Sequence, residues 1–141
     1  MRVFIILLLL PFLCCSQEVN SKKGLAIEGY DPVSYFEGKA EEGFLKYQVQ
    51  ESGLTYRFTS PNHMKIFEAN PKAYTPQYGG WCAYAMGLDG SKVEINPESY
   101  KVKDGKLYLF YKTRFVDTKS KWDKNEESLK TKADQNWDIN K

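Results

Sequence analysis

The chain has 141 residues, 42% of them hydrophobic, 27% charged and 15% aromatic, the make-up of one ordinary globular domain. That length excludes a two-domain enzyme. Its 20 basic and 18 acidic residues, net +2, supply no whole-chain field for nucleic acid or an acidic substrate, so partners must be sought in local sites.

Residues 3–13 form an apolar run behind Met1 and Arg2, followed by Cys14, Cys15 and Ser16. This is the order of a secretory signal peptide over residues 1–15, and the run falls short of the roughly 20 apolar residues that span a bilayer. Two processing outcomes follow. Phe12-Leu13-Cys14 ahead of Cys15 resembles a lipobox, which predicts lipidation of the Cys15 thiol and a membrane-anchored lipoprotein. Cleavage after Ser16 instead releases a periplasmic or extracellular protein. Loss of Arg2 leaves 19 basic against 18 acidic residues, too balanced for a polybasic membrane patch. Cys82 is then the one cysteine of the folded domain, so no intrachain disulfide forms there. A lone cysteine in an exported protein is a buried inert thiol, a metal thiolate or a redox-active thiol.

Residues 16–24 are polar and aperiodic and predict a flexible tether, with the domain over 25–138. Asp31 before Pro32 predicts a capped turn whose Val33, Tyr35 and Phe36 dock inward. Alternation over 44–50 and 54–60, with Glu51-Ser52-Gly53 between, predicts a hairpin. Ser60-Pro61 reads as N-cap and first position of a helix to Asn70, anchored by Ile66 and Phe67 and stopped by Pro71. Gly79 and Gly80 predict a tight bend leading into a short helix, with Cys82 in its first turn, where free amides and the helix dipole favour a thiolate. The alternative is that Trp81, Cys82, Ala85 and Met86 simply pack. Asp104-Gly105 between alternating runs predicts a second hairpin. Residues 113–136 lack Pro and Gly and carry Phe115, Trp122, Leu129 and Ala133, followed by Trp137, so one or two amphipathic helices close the domain. The eight basic and six acidic residues of 112–141 read as a solvated face. The expected fold is a small single-domain α+β protein: antiparallel hairpins packed with short helices and a C-terminal helical segment. No internal repeat is visible.

His63 is the sole histidine. Cys82, His63 and Met86 are the donor types that soft Cu(I) selects, whereas two Cys/His ligands are too few for structural zinc. No Gly-x-Ser-x-Gly elbow or phosphate loop is present, and the tyrosines suit sheet faces better than a base-stacking platform, which argues against nucleic-acid binding.

Three segments taken together, Gly29-Tyr30-Asp31-Pro32-Val33-Ser34-Tyr35-Phe36, Tyr56-Arg57-Phe58-Thr59-Ser60-Pro61-Asn62 running on to Tyr74, and Pro76-Gln77-Tyr78-Gly79-Gly80-Trp81-Cys82-Ala83, resemble the YHS-domain family. The resemblance runs from about Leu25 to Trp137 and is nearest to exported members that end in an Ala-Asp-x-Asn-Trp run, here 133–137. It implies a small α+β fold, an association with copper and heavy-metal transport proteins as partners, and metal binding. Where the metal-transport branch carries cysteines, this chain has Ser34, Thr59 and His63. In the nearer branch the position of Cys82 can be selenocysteine, which implies a functional thiol. The resulting expectation is a Cu(I)-binding or Cu(I)-sensing domain using Cys82 with His63 or Met86. The alternatives are a thiol redox protein using Cys82, or an interaction domain in which Cys82 is inert.

Overall fold

Two β-hairpins, each followed by helices, make up the molecule; the computed structural model describes residues 17–139. The predicted signal segment, with Cys14 and Cys15, lies outside the described residues. Strands β1 (Phe44–Glu51) and β2 (Leu54–Phe58) pair antiparallel, as do β3 (Asn96–Lys103) and β4 (Lys106–Phe110). Helices α1 (Pro61–Ala69) and α2 (Pro71–Tyr74) follow the first hairpin, α3 (Ala83–Asp89) precedes the second, and α4 (Thr118–Lys124) and α5 (Glu126–Ile139) follow it. Short 3-10 turns cover 26–29, 34–37 and 77–80. The expected α+β architecture holds, with two small sheets.

The local chemistry accounts for these elements. Both hairpin turns have positive φ at both central residues, Ser52 and Gly53, then Asp104 and Gly105, the conformation whose twist matches the flanking strands. Ser60 Oγ accepts the His63 amide at 3.1 Å and Pro61 opens α1, so the helix begins where its first amides are satisfied. Phe67 is fully buried while Ile66 is half-buried against the core. One predicted anchor is overturned. Phe115 is 88% exposed, because it lies in the loop between β4 and α4 and not on a helix face.

The structure also corrects the absence of a repeat. The segments 26–74 and 77–139 contain the same elements in the same order. Each begins with a 3-10 turn holding two consecutive left-handed residues, Ile27-Glu28 and Tyr78-Gly79, followed by a glycine at positive φ, Gly29 and Gly80. Each then has a helical turn capped by a left-handed glycine, Gly38 and Gly90. The hairpins match in strand length and in the place of their irregularity, between the Phe44↔Phe58 and Gln48↔Arg57 pairs in one and between Asn96↔Phe110 and Tyr100↔Leu109 in the other. Tyr56 and Phe58 pack on Phe67 of α1, and Tyr108 and Phe110 pack on Trp122 of α4. Asn70 and Asn125 close those helices with the same bond, to Phe67 O and Trp122 O. Only a handful of residues in this correspondence are identical, chiefly glycines and the strand aromatics, so periodicity of sequence does not reveal it.

The core follows the same plan. One buried cluster draws on both halves, including Val33, Tyr35, Phe58 and Phe67 from the first and Cys82, Ile95, Leu107 and Leu109 from the second. A second cluster, with Tyr78, Met86, Tyr108, Phe110, Trp122 and Ala133, belongs to the second half alone. Residues 17–24 pack on this body instead of forming a free tether: Asn20 N donates to Gly79 O at 2.8 Å, and Trp81 Nε1 donates to Glu18 O at 3.0 Å.

Candidate functional site

Asp31 is the polar centre of the first half. It has no exposed surface, and a buried carboxylate is tolerated only when its lone pairs are filled. Oδ1 accepts the Val33 and Ser34 amides at 2.9 and 3.3 Å. Oδ2 accepts the Thr59 amide and hydroxyl, each at 2.8 Å, and lies 2.6 Å from His63 Nδ1. His63 Nε2 faces Glu37 Oε1 at 3.2 Å. Burial works against the imidazolium, but the Asp31 hydrogen bond and charge, joined by Glu37, outweigh it and hold the His63 pKa above its ordinary value. Both ring nitrogens are therefore occupied by carboxylates. Thr59 Oγ1 sits 3.3 Å from Nδ1, the nitrogen Asp31 already holds. A nucleophilic relay needs its hydroxyl on the nitrogen opposite the orienting carboxylate, so this cluster binds protons and ties elements together without activating Thr59.

Cys82 holds the matching place in the second half. Asp31 follows Gly29-Tyr30 and donates its amide to Glu41 O; Cys82 follows Gly80-Trp81 and donates its amide to Val93 O. Asp31 accepts the amide of Thr59, the residue after β2, and Cys82 Sγ accepts the amide of Tyr111, the residue after β4, at 3.2 Å. A side chain from the region of the next helix completes each, His63 in one and Thr118 Oγ1, 3.5 Å from Sγ, in the other. Cys82 has no exposed surface. It stands one residue before α3, at the N-cap, rather than in its first turn, and its own amide is bonded to Val93 O.

No side-chain hydrogen bond or ion pair joins Cys82, His63 and Met86, although the Met86 amide donates to Cys82 O at 3.0 Å. His63 is held by Asp31 and Glu37, Cys82 by Tyr111 and Thr118, and the Met86 side chain packs in the aromatic cluster of the second half. Among the described residues no group of three or more His, Cys, Asp or Glu side chains converges as metal ligands would. As arranged, Cys82 and His63 spend their donor atoms on other partners. Pro32 and Ser34 are buried within the Asp31 turn, and Gly79 and Gly80 are part of the left-handed bend.

Beside that bend lies a feature which sequence reasoning missed. An apolar cleft of about 220 Å³ is walled by Ile27, Leu54, Tyr56, Pro71 and Gly80. Glu51 and Lys72 also border it. Ile27 adopts φ 52°, ψ 35°, a conformation that a β-branched residue enters only under strain, and such strain concentrates at functional sites. The only sequence signals were Ile27 just ahead of a Glu-Gly pair and the shortness of the helical stretch after Pro71.

No family model, curated protein or solved structure matches the chain. Among the described residues no helix is long and apolar enough to cross a membrane.

Proposed function

We propose that the chain is an exported, YHS-like binding domain and not an enzyme, with Cys82 as a structural acceptor and the cleft beside Ile27 as its recognition site. The observation that carries this reading is the equivalence of Cys82 with Asp31. A thiol that is fully buried and accepts the backbone amide of Tyr111 performs the task that a carboxylate performs in the first half. Thiol chemistry needs an accessible thiolate, and Cys82 has no exposed surface; His63 spends both ring nitrogens on the carboxylates of Asp31 and Glu37, a pairing that supports a structural role.

Copper handling through Cys82 is the competing reading, and it demands a rearrangement. Cys82 would leave Tyr111 and Thr118, and His63 would leave Asp31 and Glu37. The deciding experiment is an anaerobic Cu(I) titration of residues 17–141, which lack Cys14 and Cys15, against a chelator of known affinity, with thiol alkylation followed in parallel. The binding-domain reading expects no competition for Cu(I), and alkylation of Cys82 only at the rate of unfolding. Stoichiometric Cu(I) uptake that disappears in Cys82→Ser overturns it in favour of copper, and fast alkylation in the folded state overturns it in favour of redox chemistry.

A further inference from the structure

The second half of the molecule shows what covers the surface that forms the cleft in the first. There, the position of Ile27 is taken by Tyr78, whose ring stands 6.0 Å from that of Tyr108 and whose hydroxyl donates to Asp134 of α5 at 2.8 Å. Helix α5 runs on over fourteen residues and lays Trp137 across Gly79. In the first half the equivalents are Ile27, with no ring, and α2, which stops after one turn at Tyr74. Tyr56, the counterpart of Tyr108, is left facing the cleft. The residue is only 5% exposed, and its hydroxyl, which has no hydrogen-bond partner among the described residues, keeps some contact with solvent.

We infer that the cleft binds a single-ring aromatic molecule carrying a hydroxyl or similar polar group, which takes the place that the Tyr78 ring and α5 hold in the other half. This rests on the reading of the chain as a binding domain and names the ligand class. The volume fits: a cavity of about 150 Å³ accepts benzene, so about 220 Å³ accommodates a ring with one or two small substituents. The chemistry fits as well. Ile27, Leu54 and Pro71 give apolar walls, and Tyr56 offers both an aromatic ring in the lining and an unpartnered hydroxyl for the ligand's polar group. Burial, with the Glu51 carboxylate nearby, pushes the Tyr56 phenol up to about 12, so it is a neutral donor at physiological pH.

The test uses p-cresol, the side chain of tyrosine as a free molecule, titrated into the isotopically labelled chain and followed by amide NMR shifts. Cyclohexanol, of similar size without the aromatic ring, runs beside it. The expected result is saturable binding with Kd on the order of 1 mM or tighter for so small a ligand. Shifts should centre on Ile27, Tyr56 and Gly80, with cyclohexanol about fivefold weaker. Ile27→Tyr, which supplies the ring from within as Tyr78 does, should weaken p-cresol at least about tenfold while the rest of the spectrum stays in place. Leu54→Lys, which copies Lys106 of the second half, is the second variant and should also abolish binding. Equal binding of cyclohexanol and p-cresol overturns the aromatic class but leaves the cleft as a binding site. Absence of binding by both overturns the ligand class and the cleft together. Cleft shifts that grow with protein concentration alone would mean that a second copy seats there, and they overturn the inference too.

Discussion

Asp31 carries more of the structure than any other single side chain, and the sign and size of its effects can be stated. Its two oxygens serve three amides, the Thr59 hydroxyl and His63, so Asp31→Ala strips all of them of their acceptor. Breaking a buried pair of this kind costs about 3–5 kcal/mol, which urea unfolding would read directly. The counterpart Cys82→Ala orphans one principal amide, that of Tyr111, and costs less, about 1–3 kcal/mol. If the two variants cost the same, the equivalence of Asp31 and Cys82 has been overdrawn. His63 sets the pH dependence. Its folded pKa lies above the unfolded value of about 6.5. The folded state therefore holds its proton more tightly, and the stabilisation is complete below pH 6.5 and declines as pH rises through the raised value. His63→Gln should flatten the urea midpoint across that window. A slope that survives the substitution would place the titrating group elsewhere than in the Asp31–His63–Glu37 cluster.

At the scale of elements, close approach of helices decides the second half. Helix α3 meets α5 at Gly87, where an added Cβ would fall 2.5 Å from Leu129 O and 3.1 Å from its carbonyl carbon. Backbone cannot step aside as a flexible side chain can. Gly87→Ala gains about 1 kcal/mol of helix propensity but must push the two helices apart, and overpacking of this kind costs about 1–3 kcal/mol. The net expectation is a lower thermal midpoint with unchanged helical circular dichroism. An unchanged or higher midpoint would show that α5 yields without cost. These same elements show how far the sequence can be read. Hairpins, the α1 N-cap and the two closing helices are written in local chemistry, in Asp104-Gly105, Ser60-Pro61 and the spacing of Trp122, Leu129 and Ala133. Phe115 misleads because an aromatic among charges looks like a helix face whether or not a helix forms there. Asp31 can be read as a turn cap, yet its partners Thr59 and His63 arrive from far along the chain, and only the fold brings them in. The glycines before Cys82 leave packing and thiol chemistry equally open from sequence; the burial of its sulfur and the bond it accepts from the Tyr111 amide are tertiary facts. The cleft is the least legible feature of all, since it arises from what α2 fails to cover.

Across the whole molecule, the matching halves invite the idea of two small independent units, and the packing argues against it. Tyr35 of the first half donates its hydroxyl to Pro97 O of the second at 2.7 Å and sets its ring 4.7 Å from that of Tyr100. The larger core cluster mixes Phe58 and Phe67 with Leu107 and Leu109. Halves of roughly 50 and 60 residues bury only about 60% of the surface their unfolded chains expose and are marginal on their own, and Cys82, the one described cysteine, leaves no disulfide to brace them. Unfolding should therefore be one cooperative event. The chain offers a clean probe, because all 3 tryptophans, Trp81, Trp122 and Trp137, belong to the second half. Tryptophan fluorescence reports that half alone, whereas far-ultraviolet circular dichroism reports both. The two urea transitions should coincide, and Asp31→Ala, made entirely within the first half, should shift the tryptophan transition as far as the dichroism transition. If the fluorescence midpoint stays where it was while the dichroism curve splits, the halves unfold separately and the shared cluster contributes little. Coincidence in both proteins would instead mean that the cleft-bearing half is held in shape by its more fully packed counterpart, so that the second half acts as the scaffold for the site in the first.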